Sequence, residues 1–175
     1  MAVPAELKAV FGADTSDNAK LDALMKVMCD VLHCDRCLLF LRDPDSRKSR
    51  CTHGYQTKPS YALDRPDDGW AAEPENLVGD DPMFAEAMHN PEALYIDNIE
   101  TASPDLVNAA YEREHFKHQA LVHAPLQHDG KLYGILEPCT IEAPRQWTEA
   151  DREAIAWTMK QLTPIAVAYV AANCH

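Results

Sequence analysis

Residues 121–157, LVHAPLQHDGKLYGILEPCTIEAPRQWTEADREAIAW, carry the reading that decides the fold. Asp129-Gly130 is a two-residue hairpin signal between two apolar runs, so residues 121–127 and 131–141 are expected to be antiparallel strands. Thr148, with Asp151 three residues later, approximates a capping box, and Ile155, Met159, Leu162, Ile165 or Ala166, and Tyr169 continue from it as an apolar stripe. Strand, tight turn, strand and capped helix therefore close the chain. Two prolines disturb the pattern. Pro125 cannot donate to a ladder and must lie at an edge or a bulge, and Pro164 is expected to kink or break the last helix at a cost of about 3 kcal/mol.

Upstream, Leu21, Leu24, Met25, Met28, Val31 and Leu32 recur at helical spacing behind the capping residues 15–18. Residues 37–41 form a short continuous apolar run, read as a buried strand. The turn types at 43–46 return the chain through residues 50–57 as its antiparallel partner. From 58 to 79 the prolines and Gly69 interrupt any regular backbone, and an excursion of that length is a candidate lid over a pocket. A short helix over 82–89, a strand over 93–99 and a helix over 103–117, capped at Ser103 with Pro104 in its first turn, complete the order. Residues 1–15 read as an N-terminal extension, 16–172 as a single domain and 173–175 as a tail.

Composition narrows function. A 175-residue chain can bury roughly 70% of its unfolded surface and needs no disulfide staple. A formal net charge of −12 repels phosphate backbones and disfavours nucleic acid as a partner. The longest apolar run, over 165–172, is too short to span a bilayer, and residues 1–14 lack the basic start and apolar stretch of a secretory signal. The expected compartment is the cytoplasm, where six cysteines are free thiols or ligands before they are disulfides. No Gly-rich phosphate loop, Ser-His-Asp arrangement or His-Glu-x-x-His helix is present, and no catalysis is expected.

The order of elements, the run Asp129-Gly130-Lys131-Leu132-Tyr133-Gly134-Ile135-Leu136 and the following Pro144-Arg145-Gln146-Trp147-Thr148 resemble the GAF domain family. The resemblance implies an α+β, PAS-related fold: a central antiparallel β-sheet with the N- and C-terminal helices on one face and a ligand pocket on the other. Residues 40–45 and 144–147 look most like the bilin-binding GAF domains of phytochromes and cyanobacteriochromes. In those domains a Cys-His pair holds the tetrapyrrole by a thioether. The corresponding positions here are Val107-Asn108, so covalent attachment at that site is not expected. The pocket histidine of those domains falls on Cys139. The signature of cyclic-nucleotide-binding GAF domains is missing, as are the cysteines that free methionine sulfoxide reductases of this family carry between the second and third strands.

Several residues can carry chemistry. His123 and Cys139 fall on neighbouring strands and are the leading pocket candidates, joined by Glu137, which shares strand parity with Cys139, and by Tyr95 and Tyr55. Cys34 and Cys37 have Cys-x-x-Cys spacing, and with Cys51 and Cys139 they can be drawn as a four-thiolate metal or iron–sulfur site or as a redox pair; scattered core thiols are the plainer account. His115 and His118 lie three apart, on one face of the expected helix, as haem or metal ligands or as solvent-facing imidazoles near a helix C-terminus. The function expected is a stand-alone sensory or regulatory module binding a small molecule or a non-covalent tetrapyrrole, bilin or haem, or carrying a degenerate pocket. A thiol-redox or cluster-binding protein is the first alternative and a protein-interaction domain the second. A homodimer through the terminal helices is expected from the resemblance.

Overall fold

The computed structural model describes residues 2–175. Its helices are α1 (Ala5–Gly12), α2 (Asp17–Leu32), α3 (Leu77–Asp80), α4 (Pro82–Ala87), α5 (Ala109–His115) and α6 (Glu149–Asn173). Its strands are β1 (Arg36–Asp43), β2 (Lys48–Gln56), β3 (Ala71–Ala72), β4 (Leu94–Ile96), β5 (Ala120–His128) and β6 (Lys131–Thr140). They form one antiparallel sheet in the order β3-β2-β1-β6-β5-β4. The expected α+β architecture is the one observed.

The hairpin that decided the reading forms as its sequence dictates. Asp129 and Gly130 both take positive φ, 51° and 74°, which is the backbone of the turn that matches strand twist. Gly134 has a different reason to be glycine: a Cβ there would sit 2.5 Å from the Phe40 carbonyl oxygen, so β6 approaches β1 closely at this point. Pro125 lies past the end of β4, which pairs only with residues 121–123 of β5, so its missing N–H faces an edge with no partner strand.

α2 begins at Ser16, whose hydroxyl accepts from Ala19 N, and ends at His33 in the left-handed region. Its stripe of Leu21, Leu24, Met25, Met28 and Leu32 is fully buried against the sheet together with Ile155, Leu162 and Ala166 of α6. Each such side chain contributes about 1.5–3 kcal/mol by leaving water. The motif at 144–148 stitches this layer. Arg145 donates to the Leu32 and His33 carbonyls at the end of α2, where a cation complements the helix dipole, and to Asp151 Oδ2 at 2.9 Å. Trp147 Nε1 donates to the Ile96 carbonyl at 3.1 Å, and Thr148 and Asp151 close the capping box.

The structure adds to or changes four readings. The segment read as an extension contributes α1, whose Leu7 and Val10 are buried in the helix layer. α6 runs unbroken through Pro164, with the Thr163 hydroxyl bonding back to the Met159 carbonyl at 2.7 Å beside it. The helix expected from Ser103 starts at Ala109 instead, because the Ser103 hydroxyl caps a single turn at Asp105 while Asn108 takes the cap by accepting from Tyr111 N. Finally, a bulge between Leu39 and Phe40 shifts the β1–β2 register, pairing Cys37 with Tyr55 and Cys51 with Phe40.

Candidate functional site

Strand alternation sends Cys37, Leu39 and Leu41 of β1, Val122, Ala124 and Leu126 of β5, and Leu136 of β6 into the helix layer. Arg36, Phe40 and Arg42, His123, and Ile135, Glu137 and Cys139 consequently face the other way. Over that second face lie the excursion after β2, α3, α4 and α5. Between them is a chamber of about 160 Å³, floored by Phe40, His123, Ile135 and Glu137 and walled by Glu73, Leu77, Phe84, Tyr111 and Phe116.

The floor is polar where a sheet core is ordinarily apolar. β5 and β6 are paired at Leu121–Cys139 and again at Ala124–Leu136, and the register between them sets His123 opposite Glu137. No pairing bridges Val122 and His123 to Pro138 and Glu137, and Pro138 has no N–H to contribute to it. Both side chains are buried, at 4% and 3% exposure. Glu137 Oε1, His123 Nδ1, His118 Nδ1 and Arg36 Nε have no hydrogen-bond partner. Four such atoms on adjoining strands and the turn behind them are a departure from the near-complete satisfaction normal in protein interiors.

Their surroundings set their charges. Burial pushes the Glu137 carboxyl up to about 7, against the opposing attraction of His118 and Arg36. Burial, helped by Asp81, pushes Glu112 up to about 9, while burial pulls His118 down to about 4. His118 Nε2 and Glu112 Oε2 are 2.6 Å apart, a distance that suits an ion pair as well as a neutral contact. With both groups dry, the neutral arrangement is favoured: Glu112 keeps the proton and donates it to Nε2. His118 then carries hydrogen on Nδ1, aimed toward Glu137 Oε1 at 3.6 Å, too far for a hydrogen bond. His123, buried beside His118, is held neutral with its value down at about 3.

Most other charges around the chamber are committed; Arg65 also lines it, its guanidinium 5.1 Å from the Phe40 ring. Arg36 donates to the Tyr61 and Phe116 carbonyls at 3.0 and 2.8 Å, tying the excursion and the end of α5 to the sheet. Arg42 is paired with Glu73 and donates to the Leu132 carbonyl. Asp81 caps α4 by accepting from Met83 N and Phe84 N.

Of the side chains expected in the pocket, His123 and Glu137 line the chamber. Cys139 shares their face but is sealed under Met83, Ile96, Ile99 and Val107. Tyr55 and Tyr95 are corrected: the first pairs with Cys37 and the second with Val122, so both point to the helix layer, where Arg152 lies 4.0 Å over the Tyr95 ring. The four-thiolate arrangement is corrected as well. Cys34 and Cys37 are in the helix layer, whereas Cys139 and Cys51 are on the opposite side of the sheet. The closest thiol contact is instead Cys34 with Cys29, at 3.8 Å between sulfurs. Burial raises the thiols of Cys37, Cys51 and Cys139, which makes them poor nucleophiles. Among the described residues no group of three or more His, Cys, Asp or Glu side chains is placed to hold a metal ion. His115 and His118 do not share a helical face: α5 ends at His115, which is exposed, and Lys117 takes a positive φ that turns His118 inward.

Sequence reasoning missed Arg36, Glu112, Phe40 and the Arg42–Glu73 pair. The period-two run Arg36, Leu38, Phe40, Arg42 was the signal for three of them. Glu112 sits in a charged stretch that gives no such sign.

A family model described as GAF domain matches residues 18–162. Among curated proteins none matches. Among solved structures, the GAF domain from an Acinetobacter phosphoenolpyruvate-protein phosphotransferase is 14% identical, with 96% of this chain and 94% of that one covered and a TM-score of 0.69. The GAF domain of the cyanobacteriochrome TePixJ is 16% identical over 91% and 93% of the two chains, TM-score 0.65. The free methionine-R-sulfoxide reductase from Neisseria meningitidis, solved in complex with its substrate, is 16% identical over 95% and 87%, TM-score 0.65. At these identities the likeness is one of fold. Among the described residues no helix is long and apolar enough to cross a membrane.

Proposed function

The chain belongs to the GAF domain family, and from that premise we propose that it is a non-enzymatic sensory module whose chamber over β5 and β6 binds a small molecule. One observation carries the reading. Glu137 Oε1 and His123 Nδ1, both buried and both on the chamber floor, lack hydrogen-bond partners that the protein supplies to nearly every other buried polar group. An incoming ligand that satisfies them recovers the cost of burying them empty.

Chamber volume sorts the occupants. Sites for drug-sized ligands run from about 300 to 1,000 Å³, and this one is about 160 Å³. A bilin or haem does not fit it in this form and would need the excursion to swing outward. His118 Nε2 is held by Glu112 and His115 faces solvent, so neither is poised as a haem ligand. A compact ligand is the better match. The outer sides of α2 and α6, opposite the chamber, are the surface we assign to homodimer formation, with sedimentation of the full chain as its check.

The test fills the chamber. Ligand-observed NMR of the full chain against low-molecular-weight compounds is expected to give binders that are lost in Ile135→Trp, since Ile135 forms part of the floor. Binders retained unchanged by the filled variant, or the absence of any, would refute the reading.

A further inference from the structure

The chamber's unspent chemistry identifies the class of ligand it takes. We propose that the occupant is a compact organic cation, about the size of one ring, presenting an amidinium or ammonium group to Glu137 and His123. This inference rests on the chamber being a ligand site, and it adds what the ligand must look like.

Size comes first. A cavity of about 150 Å³ lined by apolar side chains accepts a benzene, so a space of about 160 Å³ holds a single ring with a short substituent. Charge comes next. Three carboxyl groups line the space, and two have donors of their own: Glu73 from Arg42 and Asp81 from two backbone N–H groups. Glu137 alone presents an oxygen with no donor. Of the cations nearby, Arg42 is paired with Glu73, Arg65 is stacked over Phe40, and Arg36 and His118, whose Nε and Nδ1 also lack partners, lie outside the chamber lining. What is left unsatisfied at the floor is therefore an acceptor on an acid. A neutral His123 whose hydrogen is on Nε2 places a second acceptor, Nδ1, across the strand from it. With the His123 hydrogen on Nε2, two acceptors are presented from neighbouring strands, and an amidinium fork supplies two donors with a complementary charge.

The walls agree with the floor. Phe40 and Phe116 meet edge to face at 5.9 Å, and Phe84 completes an aromatic rim whose faces attract cations. Two of these rings already hold guanidinium groups, Arg65 at 5.1 Å from Phe40 and Arg42 at 5.8 Å from Phe84.

Three probes of one shape separate the possibilities: benzamidine, its neutral isostere benzamide, and benzoate. In titrations of the full chain followed by amide NMR, benzamidine is expected to shift residues of β5, β6 and α5 and to bind at least about 10-fold more tightly than the other two. Glu137→Gln, which keeps the shape and removes the charge, is expected to weaken benzamidine by about 30-fold or more, while Glu92→Gln, an exposed acid outside the chamber, stays within about twofold. Charge selectivity in the unaltered protein needs no variant to fold. Chamber binding of benzamide or benzoate as tight as that of benzamidine would overturn the cationic class and leave the ligand site standing. Benzamidine binding unchanged in Glu137→Gln would overturn the role of Glu137. If none of the three shifts the chamber residues, the ligand site itself falls and this inference with it.

Discussion

Replacing Glu137 by Gln should make the protein more stable at alkaline pH, and the size of the gain follows from where the carboxyl sits. The group is 3% exposed, and burial raises its value from the ordinary 4.5 to about 7. Between those two pH values the folded state holds a proton that the unfolded state has released, so stability falls as pH rises through the interval. At about 1.4 kcal/mol per pH unit, the 2.5-unit interval sets a penalty of about 3 kcal/mol that is complete by pH 8 and absent below pH 4.5. Gln carries no such penalty. Arg36, His118, His123, Glu112 and Asp81 also face or adjoin this floor and titrate in both proteins, so the difference between the proteins reports Glu137 together with its coupling to them. Urea denaturation of both, followed through Trp147 and Trp157 between pH 4.5 and 8, gives that difference directly. The stability of Glu137→Gln relative to the parent should rise by about 3 kcal/mol across the range. A flat difference would refute the reasoning, and one of opposite sign would mean that Arg36 stabilises the carboxylate more than burial penalises it.

Two further outcomes follow from contacts described above. Gly134→Ala places a methyl 2.5 Å from the Phe40 carbonyl oxygen and 2.9 Å from a Leu41 methyl, so β1 must shift, at a cost of roughly 1–3 kcal/mol in urea denaturation; an unchanged midpoint would contradict the close approach of β6 to β1. Arg36→Met leaves the Tyr61 and Phe116 carbonyls without their donor and should cost roughly 1–3 kcal/mol. Hydrogen exchange should accelerate first at residues 59–63 and 114–118, and acceleration spread evenly over the chain would mean that Arg36 is core filling and not a tie between excursion and sheet.

How much of this was legible in the sequence depends on the range of the interaction that decides each feature. The Asp129-Gly130 turn and the Thr148 capping box are settled within four residues, so the C-terminal hairpin and helix could be read almost to the residue. Which face of the sheet a side chain occupies is settled by partners far away. Tyr55 and Cys51 are four apart and would share a face in a regular strand; the bulge at Leu39/Phe40 separates them, sending Tyr55 to the helices and Cys51 to the other side. The four-cysteine site failed in part for this reason, and so did the placing of Tyr55 in the expected pocket.

The buried acid was lost to a smaller error with a larger consequence. Starting the fifth helix at Ser103 centres the inner side on Leu106, Val107 and Ala110, and Glu112, two residues from Ala110, then lies about 200° around the axis and reads as solvent-facing. Asn108 competes for the cap and wins, because its side chain both accepts from Tyr111 N and donates to the Asp80 carbonyl, a tertiary contact no local rule contains. The true helix is only seven residues long and its inner face is set by what it covers. Glu112 then points at His118, and His118 at Glu137. A one-element slip in the reading therefore hid the charge network beneath the chamber, while leaving the fold reading intact: the fold rests on apolar stripes that tolerate such slips, and the site rests on single atoms that do not.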